Sequence, residues 1–376
     1  MAAYIDDPSD DYNYHYYNYA NITDGGFLDP NITLDCPSSH LHGSNIFLPI
    51  LYYIIFFTGF LGNLFVITVV SSRGKRGGRL VDTFVVNLAL ADLIFVLTLP
   101  LWAISASQNG YWNFGSFGNL LCKLSSYIIS VNRFSNIFFL TCMSVDRYLA
   151  VVKLMDSRYL RSSRCIQITC AVVWLSSLVF GIPSLVYRRV EEFGEGLSCI
   201  EDNDSSFLVM SLIMPLLTFV LPVFIIMLCY GTIIMRLNKH CAAAANPRTE
   251  ARRRHSLKMV LSIIVAFVAS WLPYNIFKVI TISSQLSNMV LSCEAQSWQR
   301  NGLLVSCCLA FLNSSVNPAI YFFLDHHFRR RAKILYRTCL GKSKLLQSYN
   351  SSASFTNPGT SESFGTTGRT QLQMSE

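Results

Sequence analysis

Two ionisable side chains lie deep in apolar sequence. Asp92 closes the run Asn87-Leu88-Ala89-Leu90-Ala91-Asp92, and Arg133 follows Asn132 inside a long apolar stretch. A charge in hydrocarbon is a functional-site candidate by default, because it must find a counter-ion, a polar cluster or a water-filled cavity. Other apolar stretches carry Asn63, Asn136, Asn313, Ser314 and Asn317, which with Asn132 supply enough oxygens to surround Asp92. Such a set can ligate a desolvated cation or exchange hydrogen bonds as glue between helices. Arg133 needs an anion in turn: Asp92 itself, a ligand carboxylate, or water in a cavity. It stands fourteen residues before Arg147, about 21 Å of helix rise. That puts it well inside the membrane but above the Asp92 cluster. Nothing here forms a nucleophile–base set or an HExxH metal pair, so no enzyme is expected.

The elements that must position these residues are long and apolar. The chain has 376 residues, 52% hydrophobic and only 14% charged, against about 25% charged in soluble domains. Seven stretches, near 46–71, 80–106, 119–150, 166–187, 206–236, 257–283 and 298–324, each exceed the ~20 residues that cross a bilayer as a helix. Backbone hydrogen bonding in lipid leaves the helix as the form they take. The expected fold is an all-α seven-helix bundle over 46–324, followed by a short amphipathic helix eight over 325–340. Residues 1–45 form an acidic N-tail without a cleavable signal, so helix one serves as signal anchor. Residues 341–376, rich in Ser and Thr, read as a disordered tail.

Orientation follows from the basic residues. Of the 30 Lys and Arg, 24 lie on one side of the predicted bundle, while 14 of the 22 acidic residues lie on the other. The positive-inside rule puts the N-terminus outside and the C-terminus in the cytoplasm. The net charge of +8 is therefore a membrane-orientation signal, and no nucleic-acid partner is expected. Sequons at Asn21, Asn31 and Asn203 fall on the outer face, where glycosylation occurs; the inner Asn350 sequon reads as a chance match. Four outer cysteines, Cys36, Cys122, Cys199 and Cys293, allow three pairings in an oxidising compartment.

Further marks stand at fixed places on the seven helices. Asp146-Arg147-Tyr148 ends helix three at the inner face. Pro222, Pro273 and Pro318 interrupt helices five, six and seven, where a missing backbone hydrogen bond makes a kink. Gly62-Asn63, the LALAD stretch, Asp146-Arg147-Tyr148, Trp174, Pro222 with Tyr230, Phe267-x-x-x-Trp271-Leu272-Pro273 and Asn317-Pro318-x-x-Tyr321 follow one another in order. Over roughly residues 46–340 this set resembles the rhodopsin-like (class A) G-protein coupled receptors.

The resemblance implies a sodium pocket of Asp92 with Asn63, Asn132, Asn136, Asn313, Ser314 and Asn317. It implies a G-protein face at Asp146, Arg147, Tyr148, Tyr230 and Tyr321, and a switch core of Ile137, Pro222, Phe267, Trp271, Pro273, Asn317 and Pro318. It also implies a disulfide between Cys122 and Cys199. Thr98-Leu99-Pro100, Trp102, Trp112-x-Phe114-Gly115 and the Cys36/Cys293 pair resemble the chemokine and peptide-receptor branch. The runs Arg79-LVDTFV, MSVDRYLAVVKL ending at Leu154 and Gly181-IPSLVYR ending at Arg188 narrow the likeness to an orphan group within that branch. Two departures stand out: Ser270 replaces the cysteine usual before Trp271, and Cys307 stands where many chemokine receptors carry a glutamate.

The expected activity is that of a ligand-gated switch in the plasma membrane. Its partners would be an extracellular peptide or chemokine-like protein, a heterotrimeric G protein of the Gi family, arrestin, a receptor kinase and membrane lipid. Trp102 and Arg133 are candidate ligand contacts, as are Tyr12, Tyr14, Tyr16 and Tyr17 of the N-tail. That tail reads either as a docking arm, with sulfation on tyrosine, for a basic ligand or as a solubilising segment. Cys339 is a palmitoylation candidate. The alternatives are a transporter or channel, which calls for inverted repeats or a polar pore, and a retinal protein, which needs a helix-seven lysine. No repeat or pore pattern is present, and no Lys lies between Lys278 and Lys333.

Overall fold

The computed structural model describes residues 41, 43–72, 80–152, 162–193, 196–202, 204–240, 247–289 and 291–353. The expected N-tail contacts Tyr12, Tyr14, Tyr16 and Tyr17, the sequons Asn21, Asn31 and Asn203, and Cys36 all lie outside them.

Seven helices are long and apolar enough to cross a membrane: Ser44–Ser71, Leu80–Ser107, Gly115–Val152, Ser163–Val186, Ser205–Arg236, Leu257–Leu286 and Cys293–Leu324. Several begin where a polar side chain satisfies an orphan backbone donor. Ser162 accepts from the Cys165 N–H at 3.2 Å before helix four, and Asp204 accepts from Ser206 N at 3.2 Å before helix five. Ser292 accepts from Ala295 N at 3.3 Å before helix seven. Hydroxyls inside the bundle bond back onto their own helix, as Ser144 does to the Leu140 carbonyl at 2.7 Å and Thr141 to that of Ile137 at 2.8 Å. In lipid this removes an otherwise unsatisfied donor.

Helix three runs through the middle and packs against helices two, four, five and six. Its inward residues Phe134, Ile137, Leu140 and Met143 are buried. Outward residues such as Leu175, Phe224 and Phe323 are exposed. A face of that kind suits hydrocarbon and would be untenable in water.

Two spans are interrupted. Helix two breaks between Val96 and Leu99, where Thr98 Oγ1 bonds the Phe95 carbonyl at 2.8 Å and Pro100 follows. Helix five contains a π-helical turn, Leu216–Val220, between Pro215 and Pro222, a bulge of the type often found at functional sites.

Among the described residues the chain also leaves helix in a hairpin between helices four and five. Strand β1 (Arg188–Phe193) pairs antiparallel with β2 (Gly196–Glu201). The all-α expectation includes no strand here. A second difference concerns the C-terminus. Helix eight opens on Asp325, whose Oδ1 accepts from His327 N at 2.9 Å, and runs His326–Ala353 rather than ending at 340. Gly341 alone costs a helix about 1 kcal/mol, and no proline stands between Pro318 and Pro358, so nothing stops it where the composition changes.

Candidate functional site

The site has three levels along the bundle axis. At the outer level the helices and the β-hairpin enclose a cavity of about 840 Å³. Trp102, Arg133, Arg188, Glu201, Trp271 and Cys307 are among its lining residues. Trp102 is held by Trp112, their rings 4.9 Å apart, and the Trp112 indole donates to Gly118 O at 2.8 Å. Arg133 lies at the cavity floor among aromatic faces. Its guanidinium carbon is 4.6 Å from the Phe134 ring centroid, 5.7 Å from Tyr274 and 5.8 Å from Trp271. Rings at these distances attract a cation through their quadrupoles. The Arg133 Nε is buried without a hydrogen-bond partner, and among the described residues no carboxylate reaches ion-pair distance of the guanidinium. The expected alternative pairing with Asp92 does not form.

Asp92 is fully committed elsewhere. Its Oδ1 accepts from Asn132 Nδ2 at 2.9 Å, Asn136 Nδ2 at 2.9 Å and Ser314 Oγ at 2.8 Å, and its Oδ2 accepts from Asn317 Nδ2 at 2.9 Å. Four neutral donors thus satisfy both oxygens of this buried carboxyl group. Helices two, three and seven are thereby tied at one point. Asn63 lies beside the knot rather than in it, donating to Gly59 O at 2.9 Å and Ser314 O at 2.8 Å. Asn313 is buried on helix seven but makes no hydrogen bond to Asp92, and its Oδ1 has no protein donor. The amide oxygens of Asn63, Asn136, Asn313 and Asn317 all remain without hydrogen-bond donors.

Between these two levels sit the buried side chains Ile137, Phe267, Trp271 and Pro222. The Phe267 and Trp271 rings are 6.0 Å apart, and Phe219, on the π turn of helix five, is 6.4 Å from Phe267. Pro273 falls two residues above Trp271, and Pro318 is packed against Gly62, where an added Cβ would meet its ring at 2.9 Å.

At the inner level Arg147 Nη2 pairs with Asp146 Oδ2 at 2.8 Å, with Tyr148 partly exposed beside them. Tyr230 and Tyr321 are buried, both with hydroxyls lacking a protein hydrogen-bond partner. Cys339 lies exposed on helix eight. Cys122 and Cys199 are joined as a disulfide, Cα to Cα 5.7 Å. Cys293 is also disulfide-bonded, its partner lying outside the described residues.

Residues 62–321 match the model of the family described as "7 transmembrane receptor (rhodopsin family)". The chain belongs to that family. The rhodopsin-family receptors it is similar to include mouse Probable G-protein coupled receptor 25, 40% identical over 79% of this chain and 80% of the relative. Mouse G-protein coupled receptor 15 is 38% identical over 84% of this chain and 83% of its own. Xenopus laevis Apelin receptor B is 36% identical over 91% and 92%. These relatives are signalling receptors, not enzymes, and the chain is a multi-pass membrane protein with the fold its sequence motifs imply.

Among the described residues, the sequence reading misses several ion pairs. Glu201 accepts from Arg188 Nη2 at 2.9 Å and pairs with Lys278 of helix six. Arg331 of helix eight donates to Asp82 of helix two at 2.7 Å, both side chains being nearly buried. The second pair joins positions 249 apart, for which no local pattern exists.

Proposed function

We propose that this receptor binds an extracellular peptide or chemokine-like protein and transmits that binding to a heterotrimeric G protein of the Gi family. Arrestin and a receptor kinase act on the inner face afterwards. The protein works in the plasma membrane with its N-terminus outside. Asn21, Asn31 and Asn203 carry glycans, Cys36 pairs with Cys293, and Cys339 carries an acyl chain beside the inner leaflet. The acidic tail, with Tyr12, Tyr14, Tyr16 and Tyr17, docks a basic ligand by long-range attraction.

The observation that carries the reading is Arg133: a guanidinium at the floor of an outward cavity, unpaired with any acid among the described residues and in contact with Trp271. Cys307 offers no acid to an inserted amine. The activating group is therefore a carboxylate, most simply a free C-terminus, which the guanidinium engages bidentately out of water. Pairing draws Arg133 away from the Trp271 and Tyr274 faces. That repacks the Ile137, Pro222 and Phe267 layer around the Pro273 kink, while Asn317 and Pro318 adjust on helix seven. The inner end then opens, and Arg147 leaves Asp146 to meet the G protein beside Tyr148, Tyr230 and Tyr321. A sodium ion at Asp92, with Asn63, Asn132, Asn136, Asn313, Ser314 and Asn317 around it, favours the resting arrangement. A ligand that prefers the open arrangement shifts the equilibrium accordingly.

Nucleotide exchange and arrestin recruitment in membranes bearing the full chain, challenged with basic chemokine-like proteins and peptides, test this reading. Arg147→Ala should keep surface display and ligand binding but lose most exchange. Wild-type exchange in that variant would refute the inner-face assignment.

A further inference from the structure

The outer rim holds a cluster that the Arg133 chemistry does not use. Glu201, the last residue of β2, is shared by two cations from different elements. Arg188 comes from the start of β1, and Lys278 from helix six, two helical turns above Trp271. Arg188 is braced in turn by the Cys199 carbonyl, which accepts from its Nη1 at 3.3 Å. The three side chains are only about a quarter exposed or less, at 26%, 24% and 18%, so bulk water screens them incompletely.

The two ends of this cluster are anchored differently. The hairpin is bound firmly to helix three and its approach. The Cys122–Cys199 disulfide lies two residues from Glu201, the Trp112 N–H donates to Leu197 O at 2.6 Å, and Asn119 Oδ1 accepts from Val190 N at 3.3 Å. Among the described residues helix six has no covalent tie there, and its polar contact with the hairpin is the Lys278–Glu201 pair. The pair thus joins helix three, through the hairpin, to the outer half of the helix that carries Trp271 and the Pro273 kink.

The state in which the pair is formed is also the state in which Arg147 is paired with Asp146. We infer that Glu201 and Lys278 form an electrostatic latch that holds helix six against the hairpin in the resting receptor and opens when the receptor activates. A tie present in one arrangement and absent in the other biases the equilibrium by its own free energy. The inference rests on the receptor reading above for its consequence, but not for its geometry. Arg188 then has a separate role, keeping Glu201 in place and ionised while helix six moves away, so that the latch can close again.

Two measurements on the full-length receptor in lipid nanodiscs separate these points. The first is amide hydrogen exchange over the outer turns of helix six, residues 278–286, without any G protein. Glu201→Gln and Lys278→Gln should each speed it by at least about fivefold, the double variant should exchange no faster than the faster single, and Lys278→Arg should match wild type. The second is ligand-free nucleotide exchange by added Gi, which should rise in the same variants and in the same non-additive pattern. Unchanged helix-six exchange in both single variants, or additive effects in the double, would overturn the latch. Faster helix-six exchange with wild-type nucleotide exchange, where the wild type itself is active above empty nanodiscs, would also overturn it, since helix six would then loosen without moving the equilibrium. If no variant and no wild type promotes nucleotide exchange while helix six responds as expected, the G-protein reading fails and the latch geometry stands.

Discussion

The Arg133 guanidinium lies 5.8 Å from the Trp271 ring centroid. The charge at the cavity floor and the aromatic plug below it are therefore in direct contact, and a ligand that moves one must disturb the other. Tyr274 and Phe134 complete the cage. The cage lets the cation persist without an acid, and it gives a ligand carboxylate something specific to displace.

Arg133 should distinguish ligand ends. A peptide agonist with a free C-terminus should lose about 1.5–3 kcal/mol, roughly 10- to 100-fold in potency, on C-terminal amidation. Arg133→Met should lose as much with the free acid and be indifferent to amidation. Arg133→Lys keeps the charge without the fork and should fall between them. Dose–response curves for both peptide forms on the three receptors check this. Equal amidation cost on wild type and Arg133→Met would make Arg133 structural.

Asp92 should carry sodium sensitivity. Raising sodium at constant ionic strength should weaken agonist binding to the wild type by a coupling of ~1–3 kcal/mol. Asp92→Asn keeps much of the hydrogen-bond knot but removes the charge, and its agonist affinity should no longer respond to sodium. Radioligand competition in sodium and in N-methylglucamine buffers reads this directly. A persistent sodium effect in Asp92→Asn would make the cluster inter-helix glue only.

Arg331 should matter to stability in a way its neighbour does not. Arg331 reaches the nearly buried Asp82 of helix two, whereas Arg330 is exposed. Arg331→Met weakens the satisfaction of a buried carboxylate and should cost about 1–3 kcal/mol, lowering the thermal midpoint of the purified receptor. Arg330→Met should change it by less than about 0.5 kcal/mol. The Asp82→Asn/Arg331→Met double should be less damaging than the sum of the singles. A strictly additive double would show that the pair does not act as a unit.

Glu201 sets a pH window. Burial alone would raise its carboxyl, but Arg188 and Lys278 outweigh burial and hold it well below the usual carboxylate range, with Cys307 as a further titratable neighbour. A depressed acid stabilises the folded state above the ordinary carboxylate value, about 4.3. That contribution is lost as pH falls from there through the depressed value. The difference in thermal midpoint between wild type and Glu201→Gln should therefore hold constant from pH 7.5 to pH 5.5. It should shrink only in more acidic solution. Shrinkage already between pH 7 and 6 would mean that a different group, such as a histidine, governs this rim.

The sequence by itself determined the seven spans, their helical form and the places of the polar residues within them. Each depends on local quantities: about twenty apolar residues per crossing, obligatory backbone pairing in lipid, and a side chain that cannot be hydrated where it lies. Asp92 with Asn132, Asn136, Ser314 and Asn317 was legible because buried polar groups in hydrocarbon must find one another. What only the tertiary structure decided is which polar group meets which. Asn63 and Asn313 belong to the same chemical set, yet they do not bond Asp92, because their helical phase points them at a carbonyl or past the knot. Arg133 turns to aromatic rings rather than to Asp92, whose oxygens already accept from four donors. Glu201 with Lys278, and Asp82 with Arg331, join chain positions 77 and 249 apart. Such partners are chosen by helix packing and by the disulfide that seats the hairpin, and no period or local spacing in the sequence records that choice.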